Sequence, residues 1–327
     1  LLYYLTIFLM IELDARRFQL RKVEIQAEDP WLLIRRYWYL LTSLVMIPLF
    51  MVRGFTAIAA VFWSTVIAWL TSYLRRETAL VPSKLVAALA NGTKQVLSVA
   101  VTCAVAGIIV GVITLTGLGL KLSGIIVDLA GGNLLLTLIY SGIALWILGL
   151  ALPITATYII AAAIIAPALI QLGVNELAAH MFIFYYAILS EVSPPVGLSP
   201  LAASALTGGN TFRTMLMAWK YTLPAFVVPF MFTVHPDGMG LLLQAPWQVV
   251  LKVSITAVLG LVAISASVNG WLLRPTNWVE RAVLLLAGLL LVYPSTTLDL
   301  LAIGAFGGVF AVHWFTRQTQ AEAPASK

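Results

Sequence analysis

The sequence reads Ser190-Glu-Val-Ser-Pro-Pro-Val-Gly197 inside a long apolar region, and an earlier part of that region reads Gly149-Leu-Ala-Leu-Pro153. Proline donates no backbone hydrogen bond and leaves the carbonyl one turn before it without a partner, so a helix breaks or kinks at both places. Serine and threonine add hydroxyl oxygens next to each break. The arrangement of the surrounding helices therefore depends on these two stretches.

The composition around the breaks is that of a membrane protein. Apolar residues make up 61% of the 327 residues and charged residues 10%, against roughly 45–50% and 25% in soluble domains. Hydrophobic runs follow one another almost from end to end, separated by short polar links. The sequence predicts an all-α polytopic membrane protein with roughly 9–11 hydrophobic segments, which include broken helices and a re-entrant hairpin.

The basic residues are biased toward one side of the membrane. Lysine and arginine outnumber aspartate and glutamate by 19 to 13, and they concentrate in alternate connections, above all in residues 12–36 and 75–94. This is the pattern of the positive-inside rule. The excess charge therefore sets topology, and we expect no nucleic-acid partner.

Residue types needed for catalysis are sparse. Cys103 is the only cysteine, and no cysteine and histidine spacing indicates zinc. No nucleophile–base arrangement, phosphate loop or dinucleotide fingerprint occurs. His180 and Glu191 would lie about 16 Å apart along one helix, too far for a catalytic pair. His313 is expected at a solvated or interfacial run end, and Lys252 is expected to extend outward. We predict no enzyme activity and no cofactor.

Three regions follow along the chain. Residues 1–94 are predicted to hold a truncated first helix whose beginning is missing, a cytoplasmic link, scaffold helices and an interfacial arm. The arm, residues 81–94, is amphipathic, and its alternative is an extension of the next span. Residues 95–208 are predicted to form a transport region with hairpins and broken helices. Residues 209–327 are predicted to form scaffold or anchor helices, including a span at 221–234, and a polar tail.

The two breaks carry the functional signal. An unpaired backbone group in hydrocarbon costs several kcal/mol, so a break at membrane depth survives only inside protein or beside a water-filled cavity. Freed carbonyls and hydroxyls are oxygen ligands that suit a hard cation such as sodium, and helix N-termini favour anionic groups. A pair of packing kinks is the alternative, because proline and glycine are common in membrane helices.

Nearly the whole chain, including both breaks, resembles a known family. The resemblance is to the large membrane subunit of tripartite ATP-independent periplasmic (TRAP) transporters, in the subgroup that uses a TAXI-type binding protein. The chain resembles the C-terminal half of that subunit. The matching motifs are Gly107-Ile-Ile-Val-Gly111, Thr114-Leu-Thr-Gly-Leu-Gly-Leu-Lys121, Gly149-Leu-Ala-Leu-Pro153 with Thr155, Ala166-Pro-Ala-Leu169, Val192-Ser-Pro-Pro-Val196, and the link segments Leu2-Tyr-Tyr-Leu and Asp14-Ala-Arg-Arg.

The resemblance implies a fold and a function. The fold would be one half of an inverted-repeat transporter in which a transport domain moves like an elevator against a scaffold. The function would be import of a small organic acid with sodium as the coupling ion, across the inner membrane of a bacterium. The implied partners are a periplasmic TAXI-type solute-binding protein, a small membrane subunit that is separate or fused upstream, the lipid bilayer and the anionic substrate.

The candidate ion-and-substrate region consists of residues in and beside the two breaks. They are Gly149, Pro153, Thr155, Thr157, Ser193, Pro194, Pro195, Gly197 and Ser199. The subgroup usually reads Gly-Met-Gly-Leu-Pro-Thr-Thr at the first break, whereas this chain has Leu150, Ala151 and Ile154. The lost hydroxyl at Ile154 leaves the ion ligands open. Glu191, a carboxylate in an apolar run, is a candidate to carry a coupling proton or to steady the hairpin.

Two other functional classes remain open. A membrane-embedded enzyme acting on a lipid or isoprenoid would use Glu191, His180 and nearby hydroxyls for acid–base work, but it needs clustered acids or a metal site. A purely structural subunit would leave the Ser-Pro-Pro break unexplained. The substrate itself is not encoded in such a site, since glutamate, a dicarboxylate and a sugar acid all fit it.

Overall fold

The structure is a computed structural model that describes residues 1–18, 29–150, 152–195 and 197–322. These residues are predominantly helical and form no β-strand, which confirms the all-α class. The α-helices are α1 Leu2–Arg17, α2 Pro30–Tyr37, α3 Thr42–Val52, α4 Ala57–Ser72, α5 Pro82–Thr116, α6 Leu118–Leu129, α7 Leu134–Gly149, α8 Ile154–Gln171, α9 Glu176–Ser190, α10 Leu198–Thr207, α11 Thr211–Thr222, α12 Val228–Met231, α13 Trp247–Asn269, α14 Trp278–Leu290 and α15 Thr296–Glu322.

Several helices have the length and apolar character of membrane spans. Four described segments pass that test: Trp31–Val52, Ile154–Gln171, Trp247–Asn269 and Thr296–Thr316. A fifth candidate is a bent pair, in which residues 100–116 and 118–129 meet at 80°. Gly117 forms the bend with a φ of 66°, a conformation that glycine adopts without steric cost. A polytopic membrane fold with a broken helix is therefore observed.

The helices group into two compact units, residues 21–100 and residues 1–20 together with 101–327. In the smaller unit, α3 and α4 form a hairpin that turns at residues 53–56. Thr56 caps α4 by accepting a hydrogen bond from the Ala59 N–H at 3.3 Å. No residue of α3 is buried. A hairpin this apolar and this exposed requires hydrocarbon around it.

The predicted interfacial arm at residues 81–94 is not a separate element. A single helix, α5, continues through it from Pro82 to Thr116, as the alternative of an extension of the next span describes. The interfacial location of residues 81–94 stays a prediction. The arm has no proline after Pro82, and its one glycine, Gly92, costs only about 1 kcal/mol relative to alanine. That cost is too small to end a helix.

The core of the larger unit surrounds α7, α8 and α9. Leu138, Leu145, Leu169 and Phe182 are completely buried there. Asn133 and Asn175 begin α7 and α9 as N-caps, with side-chain oxygens that accept hydrogen bonds from Leu136 N and Leu177 N. Because α8 reverses the chain between them, α7 and α9 run in the same general direction. Their C-terminal ends therefore lie at the same end of the core.

The span predicted at residues 221–234 is not one continuous α-helix, and its passage through the membrane stays a prediction. This segment consists of the end of α11, a 3₁₀ helix over Leu223–Val227 and the four-residue helix α12. Pro224 and Pro229 lack the N–H groups that a continuous α-helix needs. Pro224, Ala225 and Pro229 are buried, so this irregular segment runs inside the protein.

The first helix packs with the later part of the chain. Asp14 on α1 is 2% exposed, and the Lys220 amine on α11 donates to both of its carboxylate oxygens at 2.9 and 2.7 Å. The Asn269 amide on α13 donates to the Met10 carbonyl at 2.9 Å. The sequence places α1 with residues up to 94, whereas the structure packs it in the larger unit. The functional division at residues 94 and 208 stays a prediction.

The helices α13 and α14 are in backbone contact. A Cβ atom on Gly288 would lie 2.9 Å from the Gly260 carbonyl oxygen, and one on Gly260 would lie 3.2 Å from the Gly288 carbonyl oxygen. Glycine is required at position 288, and a Cβ at position 260 would force its neighbours to shift by a few tenths of an ångström. Asn277 and Glu280 form a capping box that begins α14.

Candidate functional site

The first break separates α7 from α8. The helix α7 ends at Gly149, and α8 begins at Ile154 after Pro153, which has extended backbone angles. Thr157 is completely buried, and its hydroxyl donates to the Leu152 carbonyl at 3.3 Å. Its N–H donates to the Pro153 carbonyl at 3.0 Å. The chain thus leaves the helical conformation after Gly149 and re-enters it at Ile154, as the sequence predicts.

The second break separates α9 from α10. The helix α9 ends at Ser190, and α10 begins at Leu198. Ser193 is buried and its hydroxyl donates to the Leu189 carbonyl at 2.9 Å. The Gly197 N–H donates to the Ser193 carbonyl at 3.0 Å. The peptide bond between Pro194 and Pro195 is cis. Both predicted interruptions are therefore real departures from helical geometry.

The two breaks meet at Gly149. A Cβ atom on this glycine would lie 2.5 Å from the Ser190 Cβ and 3.5 Å from the Thr157 Cγ2. The Ser190 hydroxyl donates to the Ala187 carbonyl at 2.7 Å, and Ser190 is 1% exposed. The C-terminal ends of α7 and α9 thus touch through a glycine and a serine, with the first turn of α8 beside them.

The remaining candidate residues divide by exposure. Thr155, Pro153, Pro195 and Ser199 are exposed, and Pro194 is half-buried. Gly197 is buried, but its neighbours are Met215 on α11 and Pro200, each 3.3 Å from where a Cβ would lie. The structure therefore joins Gly149 and Thr157 in one buried cluster and leaves the exposed candidates at the beginnings of α8 and α10.

The acid–base candidates do not converge. Glu191 is half-buried at the C-terminal end of α9. The His180 Nδ1 lies 3.0 Å from the Tyr158 hydroxyl on α8, so the ring is engaged with a tyrosine and not with Glu191. Within the described ranges, no three residues among histidine, cysteine, aspartate and glutamate gather as metal ligands would.

Comparison with known families identifies the chain. A family model described as "Tripartite ATP-independent periplasmic transporter, DctM component" matches residues 1–237, which contain both breaks. The chain belongs to this family. No curated protein and no solved structure matches the chain. The DctM protein described here is accordingly a multi-pass permease component of a TRAP transporter and not an enzyme. Its family implies a periplasmic binding protein and a small membrane subunit as partners.

Sequence reasoning missed Ser190, although it stands in the quoted motif. The signal is its position as the last residue of α9, because a small side chain there can meet a glycine at the end of α7. Glu191 is the carboxylate in an apolar run that the sequence analysis singles out. Asp299 is a second, only 4% exposed, and the Lys252 amine lies 3.6 Å from its Oδ2. Lys252 therefore points toward this acid rather than simply outward.

His313 is also placed differently from the prediction. It is completely buried, and its Nε2 lies 3.2 Å from the Glu280 Oε2. Arg274 binds the other oxygen of Glu280 at 2.6 Å. This charged cluster joins the start of α14 to α15. The helices α14 and α15 lie beyond residue 237, where the family match ends.

Proposed function

We propose that this DctM permease imports a small organic anion together with sodium ions, and that the meeting point of its two breaks forms half of the binding site. The observation that carries the proposal is the contact of Gly149 with Ser190, because it brings two helix ends together. The proposal treats the breaks as a binding site and not as packing kinks.

The buried side of the meeting point suits a cation. Helix C-termini carry partial negative charge, and their last carbonyls have no partner further along the helix. Here the ends of α7 and α9 converge at Gly149 and Ser190. Each carbonyl oxygen has two lone pairs, so one that accepts a hydrogen bond can still coordinate a cation. The hydroxyl oxygens of Thr157, Ser190 and Ser193 add further lone pairs, and such oxygen ligands suit sodium.

The exposed side suits an anion. Helices α8 and α10 begin beside the same breaks, and helix N-termini favour negative charge. Thr155 and Ser199 are exposed in the first turns of these helices, where their hydroxyls can donate to a carboxylate. We assign Gly149, Thr157, Ser190 and Ser193 to sodium, and the exposed Thr155, Pro195 and Ser199 to the substrate side, with the buried Gly197 as the N-cap of α10 beside them.

Glu191 extends this proposal. Its carboxyl is half-buried directly after Ser190, and an ionisable group at such a place in a membrane protein is a functional hypothesis by default. We propose that Glu191 is a coupling acid that exchanges a proton during the transport cycle.

The wider architecture completes the proposal. We infer that the chain supplies one of two inverted repeats, that the transport region moves by an elevator motion in a bacterial inner membrane, and that a TAXI-type protein delivers the solute. Two features support this assignment: the motifs from Gly107 to Val196, and the interruption of the helices at the two breaks.

Uptake by reconstituted vesicles tests the function. The complete transporter with its binding protein should accumulate labelled glutamate, succinate or gluconate when a sodium gradient is present. Choline replaces sodium in the control vesicles. Accumulation in choline equal to that in sodium would overturn the assignment of sodium as the coupling ion, and failure with all three acids would overturn the substrate class.

A further inference from the structure

Tyr186 stands on α9, one helical turn before Ser190, and belongs to none of the predicted site residues. It is 6% exposed. Its ring packs in an aromatic cluster, with centroids 4.9 Å from Phe182, 5.7 Å from Phe226 and 6.5 Å from Phe230. A tyrosine enclosed in this way needs a partner for its hydroxyl.

The Tyr186 ring lies across a glycine of α7. A Cβ atom on Gly142 would lie 2.9 Å from the Tyr186 Cζ and 3.1 Å from its hydroxyl oxygen. Gly142 and Gly149 are seven residues apart, two helical turns, and so share a face of α7. Tyr186 and Ser190 are four residues apart and share a face of α9. The two helices therefore contact each other along one line, the seam, where Tyr186 packs on Gly142 and Ser190 packs on Gly149.

The hydroxyl of Tyr186 reaches past this seam to the irregular segment. It donates to the Phe226 carbonyl at 3.0 Å. Phe226 belongs to the 3₁₀ helix Leu223–Val227, between Pro224 and Pro229. One hydrogen bond thus ties α9, one turn before its break, to a buried segment that is not part of α7, α8 or α9.

We infer that Tyr186 is a positioning residue for the sodium ligands of the proposed site, an inference that rests on the proposed function. The ring against Gly142 and the hydroxyl on Phe226 fix both the rotation and the axial position of α9. Ser190 and the last carbonyls of α9 follow one turn later on the same rigid helix. Loss of the hydroxyl bond therefore lets those oxygens move while the helix stays packed.

The neighbouring tyrosine provides a matched control. Tyr185 is adjacent on α9, and its buried hydroxyl has no hydrogen-bond partner among the described residues. Tyr185→Phe and Tyr186→Phe remove the same atom from the same helix. Only the second removes a bond.

Binding of radiolabelled sodium to the purified complete transporter tests the inference. We expect Tyr186→Phe to raise the sodium concentration for half-saturation about fivefold, the effect of losing one ordinary hydrogen bond, with the number of sites per transporter unchanged. Tyr185→Phe should match the wild type. The midpoint of thermal unfolding without sodium, measured for all variants, separates positioning from general stability, because a merely structural role would lower that midpoint and leave sodium affinity unchanged.

Gly142→Ala is a second variant that keeps the hydroxyl but displaces the ring. Gly142→Ala should also weaken sodium binding. If Tyr186→Phe does not fold, the sodium affinity of Gly142→Ala tests whether Tyr186 positions the sodium ligands. Sodium affinities equal to the wild type in Tyr186→Phe, or in Gly142→Ala when Tyr186→Phe does not fold, would overturn the inference while leaving the proposed function standing. Absence of saturable sodium binding in the wild type would overturn the proposed function, and the inference with it.

Discussion

Gly149 lies so close to Ser190 that a Cβ atom on the glycine would come within 2.5 Å of the serine Cβ. Both residues end a helix, and both are buried. The contact leaves no space for a methyl group, and the obstructing atoms belong to the base of a short side chain that cannot swing away. The approach of α7 and α9 therefore depends on glycine at position 149.

Replacing Gly149 by alanine should force the two helix ends apart. We expect Gly149→Ala to destabilise the protein by about 1–3 kcal/mol, the usual cost of overpacking, and to reduce sodium-dependent uptake strongly. Thermal unfolding in detergent and vesicle uptake measure the two effects. Gly124→Ala on α6 is the control, because no atom lies within 4 Å of its Cβ position.

The same clash can be relieved from the other side. Ser190→Gly combined with Gly149→Ala removes the obstructing Cβ and Oγ and should recover much of the lost stability. A double variant as unstable as Gly149→Ala alone would contradict the assigned contact. Uptake need not recover, because the double variant also lacks the Ser190 hydroxyl that we assign to the ion.

The ion pair between the buried Asp14 and the partly exposed Lys220 should contribute to the packing of α1. Lys220→Met leaves the carboxylate of Asp14, 2% exposed, without its cation. Removal of one partner from a buried pair costs about 3–5 kcal/mol, and we expect a smaller loss here because the Lys220 side chain is 26% exposed. The midpoint of thermal unfolding should fall accordingly. The double variant Asp14→Asn with Lys220→Met should be more stable than Lys220→Met, and equal or lower stability would argue against a buried pair.

Stability should depend on pH through Glu280. Burial raises the pKa of this carboxyl, but the hydrogen bond from the Asn277 N–H, together with His313 and Arg274, outweighs burial and holds the pKa below its usual value. A carboxyl with a lowered pKa stabilises the folded state above its ordinary pKa, and that stabilisation is lost as the pH falls through the lowered value.

Thermal unfolding measured from neutral to acidic pH checks this dependence. The wild type should lose more stability on acidification than Glu280→Gln, which cannot be protonated and has lower stability at neutral pH. Glu77→Gln, at an exposed carboxyl, should follow the wild-type profile. Identical pH profiles for the wild type and Glu280→Gln would rule out this contribution.

Glu191→Gln tests the proposed coupling acid. The substitution preserves size and removes the exchangeable proton, so we expect the initial rate of uptake to fall and its dependence on pH to change, while uptake remains dependent on sodium. The measurement is the initial rate of vesicle uptake at a fixed sodium gradient. An unchanged rate with an unchanged pH profile would remove Glu191 from the transport cycle.

The sequence predicted the features that follow from proline, glycine and hydrophobic length. The helix α7 ends and α8 begins at the predicted break 149–153, and α9 ends at the start of the predicted break 190–197, because the prolines in both breaks lack N–H groups and act locally. The all-α membrane class follows from composition.

Other features depend on contacts between distant residues and could not be read locally. The segment at 221–234 is apolar, which predicts a span, but it also carries two prolines. Packing decides whether such prolines only kink an α-helix or, as here, divide it into a 3₁₀ helix and a short α-helix. Asp14 lies in a charged stretch of the sequence, and its pairing with Lys220, far along the chain, depends on how α1 packs. The meeting of Gly149 with Ser190 likewise depends on how α8 folds back between two helices.

The glycine contact between α13 and α14 has a mechanical consequence. Because Gly260 and Gly288 bring the two backbones together, no lipid chain can enter between these helices, and neither can slide without a collision of main-chain atoms. The helices α13 and α14 should therefore move as one rigid unit. Since α1 is attached to α13 through Met10 and Asn269, displacement of the pair during transport would carry the beginning of the chain with it.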